Sequence, residues 1–338
     1  MEHPATSFHI GSRRDSNIEE VIASAKLADE LGYDTIWVGE SWGWDVFTTL
    51  TMIACHTERI RLGTGIATVF SRSPAMTAQS IASLDVISGG RATLGLGTSG
   101  RIVIEDWHGV EYSRPLERTR EYINIIRLIL SGERVDFRGE IFNLARFRLP
   151  FSPIQNSIPI YVASLGPRNL ALTGELADGW LPTWPHVSHL PDMFRIVEQG
   201  AVEAHRSPAD IDVAPSILCY VSGSSEEEAE ARRLLSDHIA YYVGGMGTYY
   251  YDLFTRYGYG EEASLIRQAW MSGDRSGAAS MVSQDMLDNI TITGNEDECR
   301  EKLSKYRDNG ATSPAVGCPH GCDTEVVLST LRALAPQP

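Results

Sequence analysis

Three groups of residues in this 338-residue sequence have types and spacing suited to chemistry. The first is Gly39-Glu40-Ser41-Trp42-Gly43-Trp44-Asp45, where a carboxylate and a hydroxyl stand beside two indoles. Glu40 in such a setting can bind a polar ring or, with its pKa raised by burial, donate a proton. It can equally cap its strand or pair with an arginine such as Arg72. Trp42 and Trp44 read as walls of a substrate cavity.

The second group is Gly95-Leu96-Gly97-Thr98-Ser99-Gly100, with Gly63-Thr64-Gly65 upstream. Lacking a Cβ, these glycines let a flat or phosphorylated ligand approach the backbone. The six letters match the dinucleotide fingerprint G-x-G-x-x-G, but that fingerprint needs a helix opening at its third glycine. The following RIVIEDWHGVEYSRP predicts no helix before Pro115, so a nicotinamide Rossmann site is set aside.

The third group is Ala163-Ser164-Leu165-Gly166-Pro167-Arg168, a strand end followed by a helix with proline and arginine in its first turn. Free amides and the helix dipole favour an anion there; an ordinary strand-to-helix turn is the alternative. His9, near the end of the first strand, and Glu105, Asp106 and His108 add acid–base candidates. Cys318-Pro319-His320-Gly321-Cys322 offers three soft ligands with no second cluster and no usual zinc spacing, so it reads as a loop and no metal is expected.

The elements that must position these groups alternate between strand and helix. Apolar runs near residues 7, 36, 62, 94, 160, 180, 215 and 315 predict eight strands. Residues 60–100 form the clearest unit, two short apolar strands joined by one helix that Gly89 and Gly90 terminate. Eight β-α units in one chain point to an α/β (β/α)8 TIM barrel with insertions, a single domain over 1–338, with its site at the C-terminal ends of the strands. A doubly wound sheet is the runner-up. Residues 135–142 predict a hairpin turning at Arg138-Gly139. Residues 244–294 show no strand and read as a helical lid. There Tyr249, Tyr250, Tyr251, Tyr257, Tyr259 and Trp270 could line a substrate mouth, form a subunit interface or pack the helices together.

Composition narrows the classes. The 43% hydrophobic and 22% charged residues describe a globular chain, and a net charge of -15 argues against nucleic acid or an anionic membrane as main partner. Five scattered cysteines imply no disulfide framework. No signal-peptide pattern and no apolar run near 18 residues is present, so a cytoplasmic location is expected.

The run LGTGIATVFSRSPAMTAQSIASLDVISGGRATLGLGTSG, with WHGVEYSRPLERTREYINIIRLILSGERVDFRGEIFNL and PIYVASLGPRNLALTGELADGW, resembles the luciferase-like flavin and deazaflavin oxidoreductases. The similarity is closer to the branch that uses coenzyme F420, and DMLDNITITGNEDECREKLSKYRDNGATSPAVGCPHG looks like the methylenetetrahydromethanopterin reductases within it. The resemblance implies a TIM barrel, a homodimer and a ring held across the strand ends. It implies a non-prolyl cis peptide at Gly65-Ile66, ring contacts at Thr68, Gly97, Thr98 and Ser99, and a phosphate segment at Ala163, Ser164, Leu165, Gly166, Pro167 and Arg168.

One departure matters. Where members acting on alcohols or sugars place an Asp-His pair, this chain has Glu40-Ser41. Glu40, Ser41 and His9 are therefore the catalytic candidates, and Trp42, Trp44 and His108 the substrate-binding ones. The reading is an F420-dependent oxidoreductase acting on an imine, enone, carbonyl or methylene-pterin type of small molecule. Alternatives are an FMN-dependent monooxygenase of the same fold and a non-catalytic flavin- or deazaflavin-binding protein. A metal-dependent hydrolase is disfavoured by the lack of His-x-His or carboxylate clusters.

Overall fold

The computed structural model describes residues 5–10, 17–40 and 43–336. Eight parallel strands form its ring. Ser7–Ile10 pairs with Thr35–Val38, which pairs in turn with Arg61–Thr64, and the order continues through Ala92–Gly97, Ile160–Val162 and Gly179–Trp180. An isolated Thr183–Ser216 bridge carries it to Ser216–Val221, and Ala315–Gly317 joins that strand back to Ser7–Ile10. This is the barrel that the alternating pattern predicts, and the doubly wound alternative falls.

Strands buried on both faces need apolar side chains on both, and every residue of Thr35–Val38 and of Ala92–Gly97 is buried. The intervening helices begin and end on local signals. Asn17 accepts from the Glu20 amide at 2.8 Å to cap helix Ile18–Glu30. Ser73 caps Pro74–Ser88, with proline in the first turn and Gly89 closing it at φ +71°.

Inside the barrel Trp37 lies edge-on to Tyr161, with ring centroids 4.9 Å apart. A Cβ at Gly63 would sit inside the Trp37 indole, and one at Gly95 would collide with the Thr64 carbonyl. These two glycines therefore make room for the barrel's own filling, which corrects the expectation that they admit a ligand.

Four further expectations need correction. The chain after Gly100 is helical rather than irregular: Val103–Trp107 forms a π-helical turn that buries Val103 and Ile104 in the core. The hairpin turns at residues 139–142 instead of 138–139, because the buried Glu121 carboxylate accepts the amides of Glu140, Ile141 and Phe142. Its strands are Val135–Arg138 and Asn143–Phe147. The seventh strand, which the apolar run predicts as continuous over residues 211–221, is interrupted between Asp212–Val213 and Ser216–Val221, where Pro215 has no amide to donate. Residues 244–294 do contain a strand: Thr291–Gly294 pairs in parallel with Ser216–Val221.

The rest of that segment is helical as expected. Tyr249–Arg256, Gly260–Met271, Arg275–Ser280 and Gln284–Ile290 pack on helix Ser225–Gly245 around a second core containing Leu253, Phe254, Ile266 and Met286. Among the described residues no helix is long and apolar enough to cross a membrane.

Candidate functional site

The C-terminal strand ends and the lid enclose a cavity of about 230 Å3. Backbone and small side chains make one wall: Gly65, Ile66 and Thr68 after the third strand, Gly97 to Gly100 after the fourth, and Ala163 after the fifth. The Gly65-Ile66 peptide is cis, at the position the resemblance implied. The Gly65 amide donates to Val38 O at 2.7 Å. Its carbonyl lies 3.1 Å from His9 Nε2. A carbonyl only accepts, so Nε2 carries the proton there. Burial pushes the His9 pKa down and the bond to Gly65 pulls it partly back. His9 thus lines the cavity and holds the Gly65 peptide at the same time.

Glu40 also lines the cavity, but its carboxylate is committed. Arg72 Nη1 and Nη2 donate to its two oxygens at 2.6 and 2.5 Å, and Arg72 also bonds Asp45 while stacking over Phe47. Of the two readings of Glu40, the arginine pair is the one the side chain realises. Ser41 and Trp42 lie outside the described residues. Trp44 is 45% exposed and is not part of the cavity wall, which corrects its place as a substrate wall. His108 does line it, following the π-helical turn.

The segment 163–168 splits in two. Ala163 and Leu165 face the cavity. Ser164 turns into the core, its hydroxyl 2.7 Å from Thr173 Oγ1 and its carbonyl accepting from Trp180 Nε1. Gly166 is the N-cap of helix Pro167–Leu176. Arg168 sits in a separate outer depression with Arg120 and Glu175, so its side chain does not reach the cavity. Arg256 of the lid instead reaches toward the Leu165 carbonyl, at 3.5 Å.

The opposite wall is aromatic and comes largely from residues the sequence did not single out. Trp184 adopts φ +53°, uncommon for a bulky residue, and its carbonyl accepts from Tyr257 at 3.1 Å. His238 and Tyr242 project from helix Ser225–Gly245, Met246 caps its C-terminus, and Tyr249 and Tyr250 come from the lid. Their spacing at 238, 242 and 246 is the one signal that could have found the first three. Tyr257 and Tyr259 pack in the lid's own core, and Trp270 packs on Tyr241 and Gly244. Only Tyr249 and Tyr250 of the six lid aromatics considered therefore reach the cavity. Burial pushes the Tyr249 and Tyr242 phenols up to about 12, so both stay protonated donors at neutral pH.

Cys318 and His320 complete the lining after the eighth strand. Among the described residues no lysine or arginine belongs to it, and its basic groups are the four histidines His9, His108, His238 and His320. Among the described residues no three His, Cys, Asp or Glu side chains are placed to hold a metal ion.

The profile of the luciferase-like monooxygenase family matches residues 4–313. The chain belongs to this family. It is 31% identical over 326 residues to a Mycobacterium tuberculosis protein provisionally named as a coenzyme F420-dependent oxidoreductase, covering 90% of this chain and 92% of that one. It is 33% identical over 310 residues to the 5,10-methylenetetrahydromethanopterin reductase of Methanolobus tindarius, covering 91% and 92%. The solved coenzyme F420-dependent tetrahydromethanopterin reductase of Methanopyrus kandleri superposes with a TM-score of 0.85 at 27% identity, over 99% of this chain and 98% of that one. In luciferase-like terms, the cavity lies at the barrel end where a TIM barrel keeps its site.

Proposed function

We propose that the protein is an oxidoreductase that binds coenzyme F420 and moves a hydride between it and a small organic molecule with an imine, enone, carbonyl or methylene-pterin carbon. The observation that carries this reading is the flat backbone wall from Gly65 to Thr68, opposed by an aromatic wall in a cavity whose described residues bring no fixed charge other than the Arg72-bound Glu40. A planar ring with a polar edge fits between such walls, and the 33% identity to a reductase of this kind supports the same cofactor.

When bound, the deazaflavin supplies a carbon that carries the hydride. The chain's residues do the rest. Ile66 and Gly97 would support the ring face, and Thr68, Thr98 and Ser99 would bond its edge. The N-terminus of helix Pro167–Leu176 would take the phosphate through its amides, since Arg168 points elsewhere. Trp184, Tyr242 and Tyr250 exclude water and orient the substrate.

The test is anaerobic mixing of reduced F420 and the protein with carbonyl and imine acceptors. The reading expects acceptor-dependent oxidation of the cofactor. Turnover that needs FMN and oxygen would move the protein to the monooxygenase reading, and tight binding without any hydride transfer would make it a carrier.

A further inference from the structure

The reading above leaves the proton unassigned. Moving a hydride to or from a carbonyl or imine carbon requires a proton to move on the heteroatom, and two of the titratable residues that line the cavity are occupied. Glu40 is gripped by Arg72 through both oxygens. His9 spends its Nε2 on the Gly65 carbonyl.

His238 is different. Its ring lines the cavity and its Nδ1 is enclosed without a hydrogen-bond partner. Structural histidines elsewhere in this chain are bonded: His56 Nδ1 lies 2.8 Å from Met52 O, and His186 Nδ1 accepts from the Ser188 amide at 3.2 Å. A buried, unsatisfied ring nitrogen costs stability; because Nδ1 is enclosed, the part of the ring that a substrate can meet is its cavity-lining edge.

The surroundings of His238 are known on each side. From its own helix comes Tyr242, 5.3 Å away between ring centroids. Trp184 meets it edge-on at 5.3 Å, and the His320 ring lies 4.6 Å away at 32°. Among the described residues, His9 of the first strand, Cys318 just after the eighth, Tyr249 and Tyr250 of the lid, the arginine-bound Glu40, and His108 make up the other titratable groups of the wall.

Resting on the oxidoreductase reading, we propose that His238 exchanges the proton with the substrate heteroatom, with His320 and His9 as its neighbours. In the oxidative direction the X–H bond breaks, its electron pair stays on X to form C=X, and the proton goes to the imidazole. The carbon's hydride, with its two electrons, is taken by the deazaflavin. Reduction reverses both transfers, and the imidazolium returns its proton to X. Burial first, then repulsion by His320 and His9, holds the His238 pKa well below its ordinary value. The resting ring is therefore a neutral acceptor, and its protonated form is a stronger acid than a free imidazolium.

Two measurements on the full chain loaded with F420 test this. In protein labelled with 13C at the histidine Cε1 carbons, the resonance assigned by H238Q should titrate below 6.5, and H320Q should move that midpoint upward. A His238 midpoint at or above 6.5 overturns the proposal whatever the substrate. With acetone and a cyclic imine as probes, single-turnover oxidation of reduced F420 should slow by about 100-fold or more in H238Q, with loss of the rise toward acid pH. An unchanged rate and pH profile in H238Q overturns the proposal. Folding of H238Q is checked by its F420 affinity. Failure of the wild-type protein to bind F420 would instead overturn the cofactor reading, a result separable from the histidine titration.

Discussion

Arg72 and Glu40 form a two-point ion pair, guanidinium to carboxylate at 2.6 and 2.5 Å, at the edge of the cavity. Asp45 shares the same arginine, so one cation serves two carboxylates. Glu40→Gln should then leave the pH profile of turnover unchanged. Arg72→Leu should destabilise the fold by about 2 kcal/mol, because a mostly enclosed carboxylate loses its partner. Thermal unfolding of both variants, with a pH–rate profile for Glu40→Gln, checks this. A lost limb in that profile would restore Glu40 as the proton donor.

The second prediction concerns the barrel filling. Gly63→Ala places a methyl group in the Trp37 ring, which overpacking makes worth about 1–3 kcal/mol of destabilisation. Gly100→Ala meets nothing within 4 Å and should unfold at nearly the wild-type denaturant midpoint. Equal midpoints for the two variants would contradict this account of Gly63.

That pair also marks what was legible in the sequence. Eight strands, their order and most helix ends follow from apolar runs and from caps such as Asn17, Ser73 and Gly89, all short-range signals. The purpose of Gly63 was not legible, because Trp37 reaches it from a neighbouring strand. Thr291–Gly294 was hidden by its length of four residues. At the site, the residues in local motifs were found, though Ser164 and Arg168 point away from the cavity. His238 was missed because its only local signal, the four-residue spacing to Tyr242 and Met246, is one that any helix face can show; the lid and the loop after the eighth strand bring its neighbours.

Stability should fall on acidification, and the sign follows from three histidines. His9 and His238 are held below their ordinary value, and His186 is lowered to about 4, in each case by burial first. Below pH 6.5 the unfolded chain takes up protons that the folded chain refuses. This contribution is complete above pH 6.5 and is lost as pH falls toward 4. After allowance for solvent screening, His186 alone is worth on the order of 1–2 kcal/mol over that window. Denaturant unfolding of wild type and His186→Gln at pH 7 and pH 4.5 measures it: the variant should lose less stability on acidification, and equal losses would contradict the assignment.

The fourth prediction separates helix amides from side-chain charge at the phosphate end. Gly166 has open space around it, so Gly166→Glu should fold and yet weaken cofactor binding by setting a carboxylate at the helix N-terminus. Arg168→Ala, in the outer depression, should bind as wild type does. The reverse ranking in a binding titration would move the phosphate away from Gly166.

The most direct test of the central claim is a fluorescence titration of the purified protein with F420 and, in parallel, with FMN. The account predicts micromolar or tighter binding of F420, on the order of -8 kcal/mol, with much weaker binding of FMN. Preference for FMN would contradict it and make oxygen consumption the next assay.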